Sequence, residues 1–175
     1  HGLLHISDEA YEDFVFADVP HWSPGSLPGA GSHTVSLYSF SKAYGMAGWR
    51  LGYMSAPIGW SKALAKVQDT VLICPPRFCQ QAAIAALVDG SDWMRQNVSQ
   101  FMSRYQFLLN RFAASNDRPW RFLHQPNGAF YCLLEVDCGC NGDTLMRQLV
   151  RDYRVATIGG CSFGFQNESC VLRIS

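Results

Sequence analysis

The sequence predicts an α/β protein built as a sheet-and-helix part followed by a smaller α+β unit. Short apolar runs near the start are typical of buried strands in a mainly parallel sheet. Long stretches in the middle have the hydrophobic spacing of helices. After residue 116, strand-like runs alternate with one more helical stretch, which is typical of an α+β unit. We therefore expect a partial large domain over residues 1–98 and a small domain over residues 99–175.

The first part is predicted to contain three strands separated by loops. G-L-L-H-I is nearly all apolar, which favours a buried strand with Asp8 at its carboxyl end. The stretch W-S-P-G-S-L-P-G-A-G-S has no periodicity and predicts a surface loop, and Pro57 and Gly59 end the last strand. The predicted strands are residues 2–6, 34–38 and 50–55.

Three helices are predicted next, over residues 60–72, 77–88 and 91–114. Leu64, Val67 and Val71 recur on one side of the first helix, and the C-P-P run that follows ends it. Asp89-Gly90 closes the second, and Ser91 is suited to cap the third. The predicted domain boundary, near residue 98, lies inside this third helix.

The last part is predicted to contain strands and one helix. Strands are predicted over residues 120–123 and 129–136, and a helix over residues 142–153. Further strands are expected near Val155 and Val171.

Composition excludes several classes of partner. Lys plus Arg and Asp plus Glu both count 14, so no overall field favours nucleic acid or an anionic membrane. No apolar run approaches the roughly 20 residues that span a bilayer. Seven scattered cysteines favour free thiols in the cytoplasm over a disulfide framework. No metal site is predicted, because Cys138-Gly-Cys140 has no second Cys or His pair at ligand spacing.

One segment brings together residues suited to covalent chemistry. Lys42 lies among small and aromatic residues, and it is either an exposed lysine or an amine held for nucleophilic attack on a carbonyl. Ser39 and Arg50 supply hydrogen-bond donors, while Gly45 and Gly48 allow a ligand to approach the backbone closely. A phosphorylated aldehyde would use both the amine and the anion cradle.

The run from Ser39-Phe-Ser-Lys42 to Gly48-Trp-Arg50-Leu-Gly52 resembles the lysine signature of the class I and II aminotransferases. These are fold-type I enzymes that depend on pyridoxal 5′-phosphate. The resemblance implies that Lys42 forms the Schiff base with the cofactor and later moves a proton. It also implies that Ser39 and Arg50 bind the cofactor phosphate.

Three more residues match landmarks of that family. Asp8 and Tyr11, in D-E-A-Y, resemble the aspartate that keeps the pyridine nitrogen protonated and the tyrosine that donates to the ring hydroxyl. Arg173, in V-L-R-I-S, resembles the arginine that binds the substrate α-carboxylate. Without the resemblance, each residue has a plainer interpretation. An aspartate at the end of a strand is more often a helix cap or a loop acceptor. A tyrosine at the position of Tyr11 is more often a core residue, and an arginine in a strand more often lies at the edge of a sheet.

The resemblance implies that the parent protein transfers an amino group from an L-amino acid to a 2-oxo acid. Members of the family are usually homodimers, so we expect the parent protein to be one. The chain corresponds to the C-terminal portion of such a protein, so we expect the N-terminal half to be missing and the piece alone to be inactive. Two alternatives stay open. One is a C–S lyase or an aminocyclopropane-carboxylate-synthase-like enzyme of the same fold. The other is a noncatalytic α/β fragment in which Lys42 is a surface residue.

Overall fold

The computed structural model describes residues 2–16, 19–113 and 118–175. The chain divides into two compact units, His1–Gln100 and Phe101–Ser175. The first unit contains three strands, of which β1 is His5–Asp8, β2 is Thr34–Ser39 and β3 is Gly52–Ser55. It also contains the helices α1 (Ser61–Val71) and α2 (Arg77–Asp89), and α3 (Ser91–Ala113) begins in it. The proposed domain limits, residues 1–98 and 99–175, stay a prediction.

The first sheet has the strand order β1-β2-β3. β1 and β2 run parallel, with His5 opposite Thr34 and Asp8 opposite Leu37. β3 runs antiparallel to β2, and the rings of Tyr38 and Tyr53 stack across this pair with centroids 4.7 Å apart. The strand predicted over residues 34–38 is confirmed. The one predicted from residue 50 begins later, at Gly52, because Arg50 has a left-handed backbone with φ 53°.

The prediction of a buried first strand is wrong. β1 forms an edge of the sheet, and no strand of residues 2–16, 19–113 and 118–175 pairs with its outer side. Leu3, which precedes β1, and Ile6, which lies in it, are 75% and 61% exposed. The predicted position of Asp8 is confirmed, since it is the last residue of β1.

The three predicted helices are confirmed, although residue 114 lies outside the described residues. The apolar stripe of α1 does not enter a core, and Val67 and Val71 are exposed. α2 does contribute to one, because its Ala83 packs with Phe40 and Met46 of the segment that follows β2.

The second unit contains a four-stranded sheet of order β4-β5-β7-β6, in which all neighbours are antiparallel. Its elements are β4 (Trp120–Phe122), β5 (Cys132–Val136), α4 (Gly142–Gln148), β6 (Ile158–Gly159) and β7 (Val171–Ile174). α4 continues as a π-helical turn, Leu149–Tyr153, so the predicted helix over residues 142–153 is confirmed. β7 lies between β5 and β6 and supplies Val171, which is 1% exposed.

Two strand predictions in this unit need correction. The strand expected from residue 129 begins at Cys132, because Ala129 has a left-handed backbone (φ 61°) that interrupts an extended chain. The strand expected near Val155 is the two-residue β6, which follows a left-handed residue at Arg154. No helix among the described residues is long and apolar enough to cross a membrane.

Candidate active site

The first predicted site residue, Asp8, lies at the carboxyl edge of the parallel pair β1–β2. Its backbone neighbour Glu9 continues the ladder by donating an N–H to the Leu37 carbonyl at 2.8 Å. Ser39 ends β2 at the same edge. Ligands of open α/β sheets bind beyond the carboxyl ends of the strands, which is where these side chains emerge.

Lys42 lies in a tightly bonded turn that follows β2. We call residues 40–51 the lysine loop. Its Ser41 N–H donates to the Ser39 hydroxyl at 3.2 Å, and its Gly45 N–H donates to the Lys42 carbonyl at 3.1 Å. Two features favour glycine at position 45. Its backbone is left-handed, with φ +63°, and a Cβ there would lie 3.1 Å from the Trp93 ring. The backbone of Lys42 is therefore fixed by local bonds.

The lysine loop is also anchored by packing. Phe40 and Met46 are buried against Ala83 of α2, and the Met46 N–H donates to the Phe40 carbonyl at 3.1 Å. Lys42 itself is half-buried. Since apolar contacts hold both ends of the turn, the amine extends from a rigid support.

Two of the predicted site residues are in contact. The Lys42 Nζ lies over the ring of Tyr11, 5.5 Å from its centroid. The Tyr11 ring packs edge-on against Phe14, which is 1% exposed, with centroids 6.2 Å apart. The segment after β1 and the segment after β2 therefore meet at the lysine, as a shared ligand site would require.

Arg50 closes the lysine loop. It has a left-handed backbone, and one guanidinium nitrogen donates to the Ala47 carbonyl at 2.9 Å. It is exposed, and no carboxylate of the described residues pairs with it. Gly52, two residues on, lies opposite Ser39 in the β2–β3 ladder. Arg50 and Ser39 therefore lie on adjoining ends of two paired strands.

Asp8 acts in part as a loop acceptor, which is the alternative to a cofactor-binding role. Its Oδ1 accepts the N–H of Ala10 at 3.1 Å, an ordinary turn contact, and the side chain is exposed. Oδ2 has no hydrogen-bond donor among residues 2–16, 19–113 and 118–175. One oxygen thus fixes the carboxylate and the other remains available to a ligand.

Glu9, a buried acid next to Asp8, is a further residue of this region that the sequence did not indicate. Glu9 is 4% exposed, and its carboxylate accepts from Ser23 Oγ at 2.7 Å and lies 2.9 Å from His21 Nε2. Burial opposes the charge, but the hydrogen bonds from Ser23, Ser7 and His21 outweigh it and lower the pKa of Glu9. The bonds from Ser23 and His21 tie the segment that contains Asp8 and Tyr11 to the loop that precedes β2. The sequence offered no signal, because the partners lie 12 and 14 residues away.

Arg173 lies in the second unit, in a central strand rather than at a sheet edge. β7 pairs on both sides, with Leu133 and Ile158 opposite Arg173. Its guanidinium lies 4.2 Å from the centroid of Tyr131 and 4.9 Å from that of Phe163. No carboxylate of the described ranges forms an ion pair with it. A half-buried guanidinium held between two rings is suited to bind an external carboxylate.

The chain is similar to known proteins along its whole length. The family model described as aminotransferase class I and II matches residues 1–175. An aspartate aminotransferase of Pyrococcus abyssi is 34% identical over 181 residues. An aromatic-amino-acid aminotransferase of Thermococcus litoralis is 32% identical over 183 residues. Both alignments cover 100% of this chain and 44% of the relative. The chain therefore spans less than half the length of these relatives.

Solved structures give the same result. An aromatic aminotransferase from Pyrococcus horikoshii superposes with a TM-score of 0.87 at 32% identity, covering 100% of this chain and 46% of the other. The aspartate aminotransferase from Rhizobium meliloti superposes with a TM-score of 0.84 at 27% identity, covering 98% of this chain and 44% of the other.

Proposed function

The chain belongs to the class I and II aminotransferases and has their fold-type I fold, and on this premise we propose that the whole protein is a pyridoxal-phosphate-dependent aminotransferase. The observation that carries the proposal is the contact between Lys42 and Tyr11 at the carboxyl edge of β1 and β2. Asp8, Ser39 and Arg50 lie on the same two strand ends and on the loop that joins β2 to β3. On the same premise, residues 1–98 would belong to the cofactor domain and residues 99–175 to the small domain.

The residues present fit a phosphorylated cofactor. Arg50 has no carboxylate partner among the described residues, and Ser39 offers a hydroxyl at the end of β2. A Cβ at Gly48 would meet no atom within 4 Å, so the backbone there faces open space. Cationic and hydroxyl donors around an open glycine are the components of a phosphate cradle.

The chemistry that pyridoxal phosphate supplies when bound is an electron sink for the pair released as an amino acid loses its α-proton. We assign each residue a role in that chemistry. Lys42 Nζ would bond the cofactor and then carry the α-proton, Asp8 Oδ2 would hold a proton on the ring nitrogen, and Tyr11 would donate to the ring hydroxyl. Ser39 and Arg50 would hold the phosphate.

Arg173 would bind the α-carboxylate of both substrates, an L-amino acid and a 2-oxo acid. Its planar fork suits a carboxylate, and Tyr131 and Phe163 limit the orientations that it can adopt. Aspartate and the aromatic amino acids are the donors to test first, since relatives carry those names. We also propose that the whole protein is a homodimer, which light scattering in solution would test.

The test is to add pyridoxal phosphate to the whole protein, record its absorbance, reduce it with borohydride and map the modified residue. The chain has three lysines, which makes a matched comparison simple. We expect modification of Lys42, its loss in Lys42→Ala, and its retention in Lys62→Ala, which removes an exposed lysine of α1. Transamination by Lys42→Ala should fall by at least about 100-fold.

The outcome also separates the alternatives. An adduct that persists in Lys42→Ala would refute the assignment of the lysine. Release of ammonia from the amino acid without any 2-oxo acid acceptor would favour a lyase of the same fold. Absence of any adduct on the whole protein would favour a noncatalytic role.

A further inference from the structure

Three cysteine sulfurs converge in the second unit. Cys138 and Cys140 follow β5, and Cys170 directly precedes β7. Cys138 Sγ lies 3.2 Å from Cys140 Sγ and 3.3 Å from Cys170 Sγ, and all three sulfurs lie within 4.8 Å of one another. We call these residues the thiol cluster.

The fold explains why the sulfurs meet. β5 and β7 are antiparallel neighbours, and the Val136 N–H donates to the Cys170 carbonyl at 2.8 Å. The end of β5 is thereby fixed to the start of β7. Gly139, with φ +67°, then turns the chain so that Cys138 and Cys140 both approach Cys170. The sequence predicts no metal site at Cys138-Gly-Cys140, because no further ligand follows nearby, but the fold brings in Cys170 from 30 residues further along.

The spacing of the sulfurs matches a tetrahedral cation within a small side-chain adjustment. Zinc–sulfur bonds of about 2.3 Å at tetrahedral angles place ligand sulfurs about 3.8 Å apart. The two short separations are slightly below that value, and the third is at most 4.8 Å. Rotation of the two loop cysteines would equalise these distances without movement of the strands.

The site is open on one side and lined by oxygen ligands. Cys170 is buried, Cys140 is half-buried and Cys138 is exposed, so an ion can reach the sulfurs from solvent. Asp137 and Glu168 line the same surface cleft as the cysteines. Either carboxylate, or a water, could complete a four-coordinate site.

We propose that Cys138, Cys140 and Cys170 bind a thiophilic d¹⁰ cation of the Zn²⁺ class through three thiolates and one oxygen ligand. The proposal does not depend on aminotransferase activity. Soft thiolate ligands in a tetrahedral arrangement select such cations. Bound there, the cation would join the end of β5 to Cys170, which precedes β7 and lies three residues before Arg173. It would thereby stabilise the strand that positions this arginine.

The experiment uses the whole protein, reduced with a phosphine, freed of metal by chelation and then titrated with Cd²⁺ or Zn²⁺. Cd²⁺ reports thiolate ligands by a sulfur-to-metal charge-transfer absorption, and a chromophoric chelator measures Zn²⁺ affinity by competition. We expect Cys140→Ser to lose the absorption contributed by this site and to weaken Zn²⁺ binding by roughly 100-fold or more, since loss of outer ligand contacts alone costs about 10- to 100-fold.

Two controls keep the test decisive. Cys74→Ser removes an exposed thiol between α1 and α2 and should leave the titration unchanged. Cys140 is preferred to buried Cys170 because its replacement leaves the sheet core intact, and circular dichroism would verify this. The proposal fails if Cys140→Ser binds both cations as the unmodified protein does. It also fails if the reduced protein binds neither cation. A disulfide among the three cysteines, found by mass spectrometry of the oxidised protein, would then assign the cluster to oxidation instead.

Discussion

The lysine loop of the first unit and strand β7 of the second unit both present a cation, but they hold it in different ways. Lys42 is fixed by bonds within a dozen consecutive residues, including the Ser41 to Ser39 and Gly45 to Lys42 hydrogen bonds. Arg173 is fixed by two rings, Tyr131 and Phe163, that come from separate segments of the chain.

This difference determines which substitutions should disturb each cation most. A locally bonded turn depends on backbone conformation, so its glycines and packing residues should matter most. A guanidinium between aromatic rings depends on side chains brought together by the sheet, so the ring faces should matter most. Single substitutions in each region test this contrast.

Arg173→Ala should reduce kcat/KM for the amino acid by roughly 10- to 150-fold, which corresponds to about 1.5–3 kcal/mol for hydrogen bonds to a charged group. Arg121→Ala is the matched control. Arg121 lies in the same sheet, but it is exposed and already paired with Glu135. Steady-state kinetics of both variants would check this, and equal losses would contradict a specific role for Arg173.

Gly52→Ala should destabilise the whole protein by about 1–3 kcal/mol, because a Cβ at Gly52 would lie 2.5 Å from the Tyr38 carbonyl oxygen. Gly48→Ala should leave the free energy of unfolding nearly unchanged, since a Cβ there meets nothing within 4 Å. Urea unfolding measures both. If Gly48 faces the cofactor phosphate, Gly48→Ala should still weaken pyridoxal phosphate binding. Unchanged binding would show that Gly48 is not part of the phosphate cradle.

Tyr131→Leu should raise KM for both substrates by roughly 2- to 30-fold, because a cation–π contact contributes about 0.5–2 kcal/mol. Tyr131→Phe retains the ring face and should keep KM close to that of the unmodified protein. A KM that stays low in Tyr131→Leu would show that the sheet alone positions Arg173.

Glu9→Gln should destabilise the protein by about 1 kcal/mol at neutral pH, since the charged acceptor of Ser23 and His21 is lost. The pKa of Glu9 is lowered below its ordinary value of 4.5, so its ionised form contributes stability at pH values above 4.5. That contribution is lost as pH falls through the lowered pKa. Thermal unfolding across acidic pH should therefore show a shallower decline in Glu9→Gln, whereas Asp69→Asn, at an exposed position of α1, should follow the unmodified protein.

The sequence was most informative where structure is local. The helices, the β2 strand and the position of Asp8 followed from periodicity and turn residues, and the family resemblance rested on the contiguous lysine motif. Interactions between distant segments could not be inferred. The Glu9 to His21 contact and the approach of Cys170 to Cys138 depend on strand pairing, which periodicity does not specify.

The error on the first strand has a related cause. An apolar run indicates that a strand can be buried, but burial also needs a neighbour that covers it. Residues 2–6 meet the first condition, and the described part of the chain does not supply the second.

The outer side of β1 would act as a template for the addition of another strand. Its backbone N–H and C=O groups lie beside the exposed side chains of Leu3, Leu4 and Ile6, a combination that promotes pairing between separate molecules. We therefore expect these 175 residues, produced alone, to self-associate as their concentration rises. A lysine introduced by Ile6→Lys would oppose that association, and a polypeptide that supplied a matching strand would compete for the same edge.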